Sequence, residues 1–170
     1  MTLTKNKYYF EALDNYPYSL PQCLEALNYA LSYDPEDADS LCLMGRLHTE
    51  ILNDYETAKT YFEEAMQSNI NNISTPKYYI HCLLNNEDYE EAEKLIEFAL
   101  KIKGIDKANI LYWKSLLFEK RREYDKALEQ IKEAGKFSYN KNMTDFLEAR
   151  EKFVKDKMPK KKNKKKKGTK

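Results

Sequence analysis

A pattern of small and large apolar residues repeats four times along the 170-residue chain. Each copy has a small residue, a large apolar residue four places later and an alanine three places after that. The small residues that lead the copies are Cys23, Ala58, Ala92 and Ala127, so the intervals between copies are 35, 34 and 35 residues. Spacings of three, four and seven place side chains on one stripe of an α-helix. The pattern therefore predicts four helices that each bury one stripe.

A second apolar segment precedes each of the last three of these helices, around Leu41, Tyr78 and Leu111. Pro21 and Pro76 fall in the first turn of predicted helices, where the missing N–H of proline costs nothing. A turn signature with tyrosine separates the two segments at Asp54-Tyr55, Asp88-Tyr89 and Glu123-Tyr124. The unit is thus helix–turn–helix. Because one helix pair cannot bury both of its faces, we expect the units to stack.

The end of the body carries one more amphipathic stripe, formed by Met143, Phe146, Leu147 and Phe153. A terminal helix of this kind shields the last apolar face of an open-ended stack. We predict an all-α fold with repeats at about residues 4–37, 38–72, 73–107 and 108–141 and a capping helix at about 143–157. Residues 158–170 are lysine-rich and of low complexity, so we expect a disordered tail there.

At these positions the chain resembles the tetratricopeptide repeat (TPR) family, whose motif is about 34 residues long. The second unit carries the resemblance best, with one extra residue between Gly45 and Ala58, near His48 to Asn53. The first unit is the weakest, because Glu11 stands where the family has a small residue. The resemblance covers about residues 4–139 and implies a right-handed helical solenoid. The residues that match in the second unit are Leu41, Met44, Gly45, Tyr55, Ala58, Phe62 and Ala65.

The resemblance also implies a binding surface. TPR domains, as a family, are scaffolds whose concave face grips a peptide or partner helix, and that face is made by the first helix of each pair. Carrying the frame over places Tyr8, Arg46, Lys77, His81 and Tyr112 on it. Lys77 and His81 are four apart and share a helical face, so with Arg46 they form a cationic spot suited to an acidic group or a C-terminal carboxylate. We predict a non-catalytic protein-interaction scaffold, although the same residues also fit an ordinary solvated groove.

Charge separates the chain into two parts. The total is 29 Lys and Arg against 28 Asp and Glu, but residues 155–170 alone hold ten lysines and one aspartate. The lysine run has neither arginine nor aromatic residues, so it would bind RNA, DNA or anionic lipid by counterion release without reading sequence. A second hypothesis is therefore an RNA- or ribosome-associated adaptor, and a purely solubilising tail is the alternative. The lysines concerned are Lys160, Lys161, Lys162, Lys164, Lys165, Lys166 and Lys167.

Residues that could carry chemistry are sparse. His48 falls at a core-facing position, and the neighbours His81 and Cys82 point about 100° apart on a helix, with no further ligand at metal spacing. None of the four glycines lies in a nucleotide-binding loop motif. Paired carboxylates such as Glu90-Glu91 fall on outer helix faces beside lysines. We therefore expect no catalysis, no cofactor and no metal.

Cysteine usage and hydropathy indicate the compartment. Cys23, Cys42 and Cys82 are widely spaced and odd in number, as in a reducing compartment. No apolar run approaches the roughly 18–20 residues that a membrane span needs, and the N-terminus lacks the pattern of a secretory signal. We predict a cytoplasmic protein; the pattern leaves its oligomeric state open.

Overall fold

The computed structural model of the chain describes residues 6–159. Within this range the protein is all-α, as the apolar pattern predicts, and its helices form a solenoid of successive pairs. The helices are α1 (Lys7–Asn15), α2 (Leu20–Tyr33), α3 (Ala38–Leu47), α4 (Tyr55–Ser68), α5 (Thr75–Asn85), α6 (Tyr89–Ala99), α7 (Lys107–Lys120), α8 (Tyr124–Gly135) and α9 (Lys141–Lys157), with a π-helix at His48–Leu52 between α3 and α4.

The helices contact one another in the order of the chain. Each packs against the next, and the first helices of successive pairs also meet, α3 with α5 and α5 with α7. An inner row of α1, α3, α5 and α7 thus stands beside an outer row of α2, α4, α6 and α8. These pairs support the predicted repeat boundaries, which we keep as a proposal.

The repeated apolar stripe forms the core. Its leading small residues and its alanines are almost fully buried in all four copies, and so are Leu27, Phe62, Ile96 and Ile131 between them. Gly45 lets α3 approach α4 closely, because a β-carbon there would lie only 2.7 Å from the Phe62 ring. The predicted spacing therefore identifies the side chains that hold successive units together.

The turns inside the units share one backbone device. Asn53, Glu87 and Arg122 adopt positive φ angles of 53°, 63° and 62° at intervals of 34 and 35 residues. The N–H groups of Asp88 and Glu123 donate to carbonyls five residues back, as in a Schellman cap, whereas that of Asp54 reaches back six residues to His48 in the π-helix. N-cap side chains begin several helices, for example Asp37 at α3 and Asp106 at α7. Residues with positive φ therefore end helices, and N-cap side chains begin them, at a regular interval along the chain.

Two units depart from this regularity by one residue. In the second unit, the extra residue is absorbed by the π-helix at His48–Leu52, which widens one helical turn. In the first unit, Ala12 is fully buried and takes the small-residue position, whereas Glu11, which the sequence pattern placed there, is exposed. Ala12 and Cys23 are 11 residues apart, one fewer than Ser115 and Ala127. Because this turn is one residue shorter, each position of the repeat motif in α1 falls one residue later than the sequence pattern placed it.

Helix α9 covers the end of the stack, and it packs mainly on α8. Leu147 and Val154 are its buried side chains. The almost buried carboxylate of Glu119 on α7 accepts hydrogen bonds from Arg150 and Lys157, the latter at 2.6 Å. These hydrogen bonds attach the second half of α9 to α7 in the inner row. No helix in residues 6–159 is long and apolar enough to cross a membrane.

Candidate functional site

Arg46 is held between two tyrosine rings on the inner row. Its guanidinium carbon lies 4.6 Å from the ring centroid of Tyr16 and 4.1 Å from that of Tyr78. Its Nε is 3.4 Å from Oε1 of Glu50, one helical turn further along, and Glu50 also accepts a hydrogen bond from the Tyr16 hydroxyl. Cation–π contacts with two rings and an ion pair fix the orientation of the side chain. Arg46 thus connects the first, second and third units.

His81 repeats this arrangement one unit later. Its ring centroid lies 5.1 Å from a ring of Trp113, and the Asn85 amide lies 3.0 Å from its Nε2. Burial lowers the pKa of His81; the nearby Lys120 adds to this, while Glu50 raises it. The neutral ring, with Nε2 accepting from Asn85, is the form that this environment favours.

The two arrangements are in register. Arg46 and His81 are 35 residues apart, as are Tyr78 and Trp113, and Glu50 and Asn85. In both, a planar cationic or imidazole group bonds to the side chain four places on and lies on an aromatic ring of the next unit. This repetition links the inner helices by a row of flat groups in contact, with the His81 and Trp113 rings tilted by 30° to each other.

The row continues to the capping helix. The Tyr112 ring lies 5.1 Å from Trp113 and 4.9 Å from Phe146 of α9, in an edge-on contact with the latter. Phe146 remains 41% exposed. We name this surface the aromatic groove and define it as Tyr9, Tyr16, Arg46, Glu50, Lys77, Tyr78, His81, Asn85, Tyr112, Trp113, Lys120 and Phe146.

The sequence-derived binding residues are only partly brought together. Arg46, His81 and Tyr112 belong to the stacked row, and Lys77 joins it with its Nζ 4.6 Å from the Tyr78 centroid. Tyr8 lies elsewhere, because its ring stacks on α2.

Tyr9 takes the place in the groove that the sequence pattern gave to Tyr8. Burial raises the pKa of Tyr9, the neighbouring Cys42 adds to this, and Arg46 opposes it. The Tyr9 side chain packs against the core cluster that includes Leu43 and Met44 of the second unit. The cause is the one-residue shift in α1, since adjacent helical residues point about 100° apart.

The sequence pattern also missed Tyr16, Tyr78 and Trp113. All three contribute rings to the row, and a signal for two of them was available, because Tyr78 and Trp113 are 35 residues apart and each follows a residue expected on the concave face. Tyr16 follows the last turn of α1. Because the first unit is shifted by one residue, the repeat spacing gives no signal for this position.

The charged side chains of the aromatic groove differ in whether they already pair with an opposite charge. Arg46 is paired with Glu50, whereas Lys77 has no carboxylate partner within residues 6–159 and its Nζ lies over the Tyr78 ring. Lys120 lies close enough to His81 to lower its pKa. Three cations of the aromatic groove therefore accompany one carboxylate, and Lys77, beside the contact of Arg46 with Tyr78, is free to meet an added anion.

The outer faces of the stack have a different character. Their charges pair with each other between neighbouring units, as Lys59 does with Asp88 at 2.9 Å and Arg121 with Glu93 at 2.6 Å. A shallow depression of about 490 Å³ along α6 is lined mainly by such residues, Lys94 among them. The outer side of these units is thus largely self-neutralised.

Groups suited to covalent or metal chemistry are not assembled in the described part of the chain. The thiols of Cys23, Cys42 and Cys82 are buried and unpaired, and burial raises the pKa of Cys42 to about 11, so the thiol stays protonated. No group of three or more His, Cys, Asp or Glu in residues 6–159 could hold a metal ion. The lysine run from Lys160 to Lys167, predicted to bind polyanions, lies outside the described residues.

Comparison with known proteins identifies the repeat type. The family described as "Tetratricopeptide repeat protein 21 second ARM domain" matches residues 16–143. No curated protein sequence matches the chain.

Solved TPR structures resemble the chain at low sequence identity. PilF from Pseudomonas aeruginosa superposes with a TM-score of 0.74 at 17% identity, over 89% of this chain and 72% of that one. TTC0263, a TPR protein from Thermus thermophilus, gives 0.73 at 15% identity, over 89% and 81%. MamA from Desulfovibrio magneticus RS-1 gives 0.66 at 17%, over 90% and 92%. These likenesses establish the fold.

Proposed function

We propose that this chain, which belongs to the family of the second ARM domain of tetratricopeptide repeat protein 21, is a non-catalytic scaffold that holds a peptide or partner helix in its aromatic groove. The observation that carries the proposal is the repeated contact of Arg46 with the Tyr78 ring and of His81 with the Trp113 ring. A TPR-type fold supports a role in protein interaction in general. The groove, with Arg46, Lys77, His81 and Tyr112 as anchors, is our assignment of the binding face.

The composition of the groove suits the centre of a protein interface. Tyrosine, tryptophan and arginine dominate binding energy at such interfaces. The two aromatic side chains offer large flat surfaces with few freely rotating bonds. Arg46 is already held by two rings and a carboxylate, so binding would cost little further side-chain entropy. A partner with aromatic or other flat side chains would extend the existing stacks.

The proposed partner segment also carries an acidic group or a C-terminal carboxylate. Support comes from Lys77, which lies beside the Arg46–Tyr78 stack without a carboxylate partner in the described part of the chain. Arg46 is the weaker candidate for gripping an anion, since Glu50 already neutralises it. We therefore assign recognition of the acid chiefly to Lys77.

A peptide-display selection on the immobilised full chain tests this function. Enriched peptides are expected to combine an acidic residue with aromatic ones, and Lys77→Glu is expected to weaken their binding about tenfold or more, the loss of one charge-assisted contact. Lys94→Glu is the matched control, because Lys94 is an exposed lysine on the outer face of α6. If the peptides bind both variants as tightly as they bind the unaltered protein, the binding site does not lie in the groove.

The lack of catalysis and a cytoplasmic location are parts of the same proposal. Polar side chains in the groove bond to each other, as Glu50 does to Arg46 and Asn85 to His81. They are not arranged around a common position where a substrate could react. The three buried, unpaired cysteines suit a reducing compartment. Both parts rest on chemistry that the groove and the core display.

The second hypothesis, polyanion binding by the lysine tail, rests on the sequence alone. Binding through counterion release falls steeply with salt, by about three orders of magnitude between 50 and 200 mM for some seven phosphate contacts. Retention of the full chain on heparin or total RNA at low salt, lost on deletion of residues 158–170, would support it. A full chain that passes through at low salt would exclude it.

A further inference from the structure

A second cluster of cations and rings lies where the capping helix α9 meets α7. The Arg150 guanidinium carbon lies 4.7 Å from the Phe153 ring centroid, and the Lys157 Nζ lies 4.3 Å from it. Both cations also donate hydrogen bonds to the almost buried carboxylate of Glu119 on α7. Because two positive charges share one negative charge, the cluster keeps an excess of one positive charge.

Two exposed phenylalanines of α9 belong to the same surface. Phe146 is 41% exposed and Phe153 is 46% exposed. Phe153, Arg150 and Lys157 follow Phe146 by seven, four and eleven residues, which places all four side chains on one stripe of the helix. Phe146 meets the Tyr112 ring edge-on at 4.9 Å between centroids. The stripe therefore adjoins the end of the aromatic groove.

Lys120 adds an unpaired cation beside this stripe. It follows Glu119 directly, it is exposed, and it has no carboxylate partner within residues 6–159. It lies seven residues after Trp113, so both project from the same side of α7, and its charge helps to lower the pKa of His81 on α5. We name the following set the capping-helix subsite: Tyr112, Lys120, Phe146, Arg150, Phe153 and Lys157.

Acidic side chains are scarce around the capping-helix subsite. Helices α5 and α7 together contain one acidic residue, Glu119, and it is already paired. Glu50, the other acid of the aromatic groove, pairs with Arg46. In α9, helical spacing places the acidic residues on other sides of the helix than the stripe of Phe146 and Phe153. These residues are Asp145, Glu148, Glu151 and Asp156.

The turns at this end of the inner helices add no unpaired acid to the subsite. Asp88, after α5, pairs with Lys59, and Glu123, after α7, pairs with Lys126. Glu87 borders a depression at the start of α6, on the outer side. The capping-helix subsite therefore sets three cations against one carboxylate, and exposed rings lie between them.

We propose that the capping-helix subsite binds a second acidic group of the partner segment, together with an aromatic side chain beside it. This inference rests on the proposed function of the aromatic groove. Lys120 meets the acid, and Phe146 and Phe153 offer their rings to the aromatic side chain. The lysine tail of the chain itself is a poor occupant, because it starts three residues after Lys157 and has the same sign of charge as the subsite.

The positions of Lys77 and Lys120 set the spacing of the two acids. Lys120 is 35 residues after Asn85, so these two stand at the same level of successive inner helices. Asn85 lies eight residues beyond Lys77, about 12 Å along α5, and packed helices lie about 10 Å apart. The backbones of the two lysines are thus about 15 Å apart, the length of about four or five residues of extended chain or about ten of helix.

Binding of display-selected peptides to the full chain tests the second acid position. Dissociation constants are measured by fluorescence anisotropy of the labelled peptide. Lys120→Glu is expected to weaken binding about tenfold, as Lys77→Glu does. The matched control is Lys107→Glu, an exposed lysine at the start of the same helix with no carboxylate partner in residues 6–159. It should bind like the unaltered protein.

A double-mutant cycle assigns the two acids of the peptide. It uses Lys120→Gln and Lys77→Gln, which remove a charge without adding a repulsive one. Replacing one acid of the peptide by its amide should abolish the further effect of Lys120→Gln and leave that of Lys77→Gln. Replacing the other acid should give the converse result.

Phe146→Ala tests the contribution of the exposed rings. It is expected to weaken binding about three- to tenfold, the loss of one aromatic contact. Phe137→Ala is the matched control, because Phe137 is 43% exposed and lies outside the subsite. Circular dichroism checks that the variants fold.

The outcomes separate this inference from the proposed function. Peptide binding that falls with Lys77→Glu but not with Lys120→Glu overturns the second acid position and leaves the proposed function standing. Binding that neither substitution affects, or a selection that enriches no peptide, overturns both. If Lys120→Glu leaves peptide binding unchanged but weakens self-association in the ultracentrifuge or retention on RNA, the occupant is a second copy or a nucleic acid, and the proposal is overturned.

Discussion

Gly45 controls how closely α3 and α4 pack. The Phe62 ring that a β-carbon would meet at 2.7 Å is fully buried and stacked on Tyr79 at 5.3 Å, so it has little room to move. We expect Gly45→Ala to lower the free energy of unfolding by about 1–2 kcal/mol, because overpacking outweighs the gain of about 1 kcal/mol in helix propensity. Urea unfolding measures the change.

Gly135 is the matched control for that substitution. It lies at the end of α8, and a β-carbon there would have no atom within 4 Å. Gly135→Ala should therefore leave stability unchanged or raise it by up to about 1 kcal/mol. Equal effects of the two substitutions would contradict the close packing of α3 on the Phe62 ring.

His81 gives the protein a dependence of stability on pH. Its folded-state pKa is lowered, mainly by burial, so below about pH 6.5 the unfolded chain takes up a proton that the folded chain resists. The free energy of unfolding is therefore expected to fall as the pH drops from about 7 toward 5. The carboxyls of Asp54, Asp88 and Glu151 have lowered pKa values and act below this window.

His81→Asn should remove that slope. Asparagine has no titrating group, so urea midpoints of the variant should vary less between about pH 7 and 5 than those of the unaltered protein. Identical slopes for both proteins would show that His81 is not protected from protonation in the folded state.

At the scale of elements, the attachment of α9 depends on one buried carboxylate. Glu119 is 8% exposed and accepts from Arg150 and Lys157, while α9 buries only Leu147 and Val154 fully. Removing one partner of a buried ion pair leaves the other charges uncompensated. We expect Glu119→Gln to cost about 3 kcal/mol and to speed hydrogen exchange in α9 more than in α3 to α6.

Glu133→Gln supplies the comparison. Glu133 pairs with Lys136 at 2.6 Å, but both side chains are exposed, so the pair contributes at most about 1 kcal/mol. A Glu119→Gln protein as stable as this control, with unchanged exchange in α9, would contradict the attachment that we describe.

The elements also show what sequence can and cannot predict here. The helices, the solenoid and the buried stripe follow from the spacing of apolar residues, since every copy of the stripe is buried. The sequence located the extra residue of the second unit near His48 to Asn53, but its spacing did not predict that a π-helix at His48–Leu52 accommodates it. One-residue changes in the turns do not alter the apolar pattern within a helix, so the frame of α1 was wrong by one. Tyr8 was therefore chosen in place of Tyr9.

At the scale of the whole molecule, the surfaces differ in how many charged side chains they carry and in whether these are paired. The outer faces of the second to fourth units pair their charges internally, as Lys59 and Arg121 do. The aromatic groove keeps Lys77 without a carboxylate partner within the described residues, and the outer helix α2 carries Glu25 as its one charged residue. The net charge of +1 averages over these surfaces and over the lysine tail. Each surface therefore calls for its own test, because variants in one leave the others intact.

The single tryptophan of the chain, Trp113, lies in the aromatic groove, so its fluorescence reports directly on the central claim. The measurement is a titration of the full chain with a display-selected peptide that lacks tryptophan. We expect a saturable change in Trp113 emission with the same midpoint as fluorescence anisotropy of the labelled peptide. Lys77→Glu should shift both midpoints about tenfold or more, and Lys94→Glu should shift neither. Binding seen by anisotropy without any change in Trp113 emission, and unaffected by Lys77→Glu, would contradict the account.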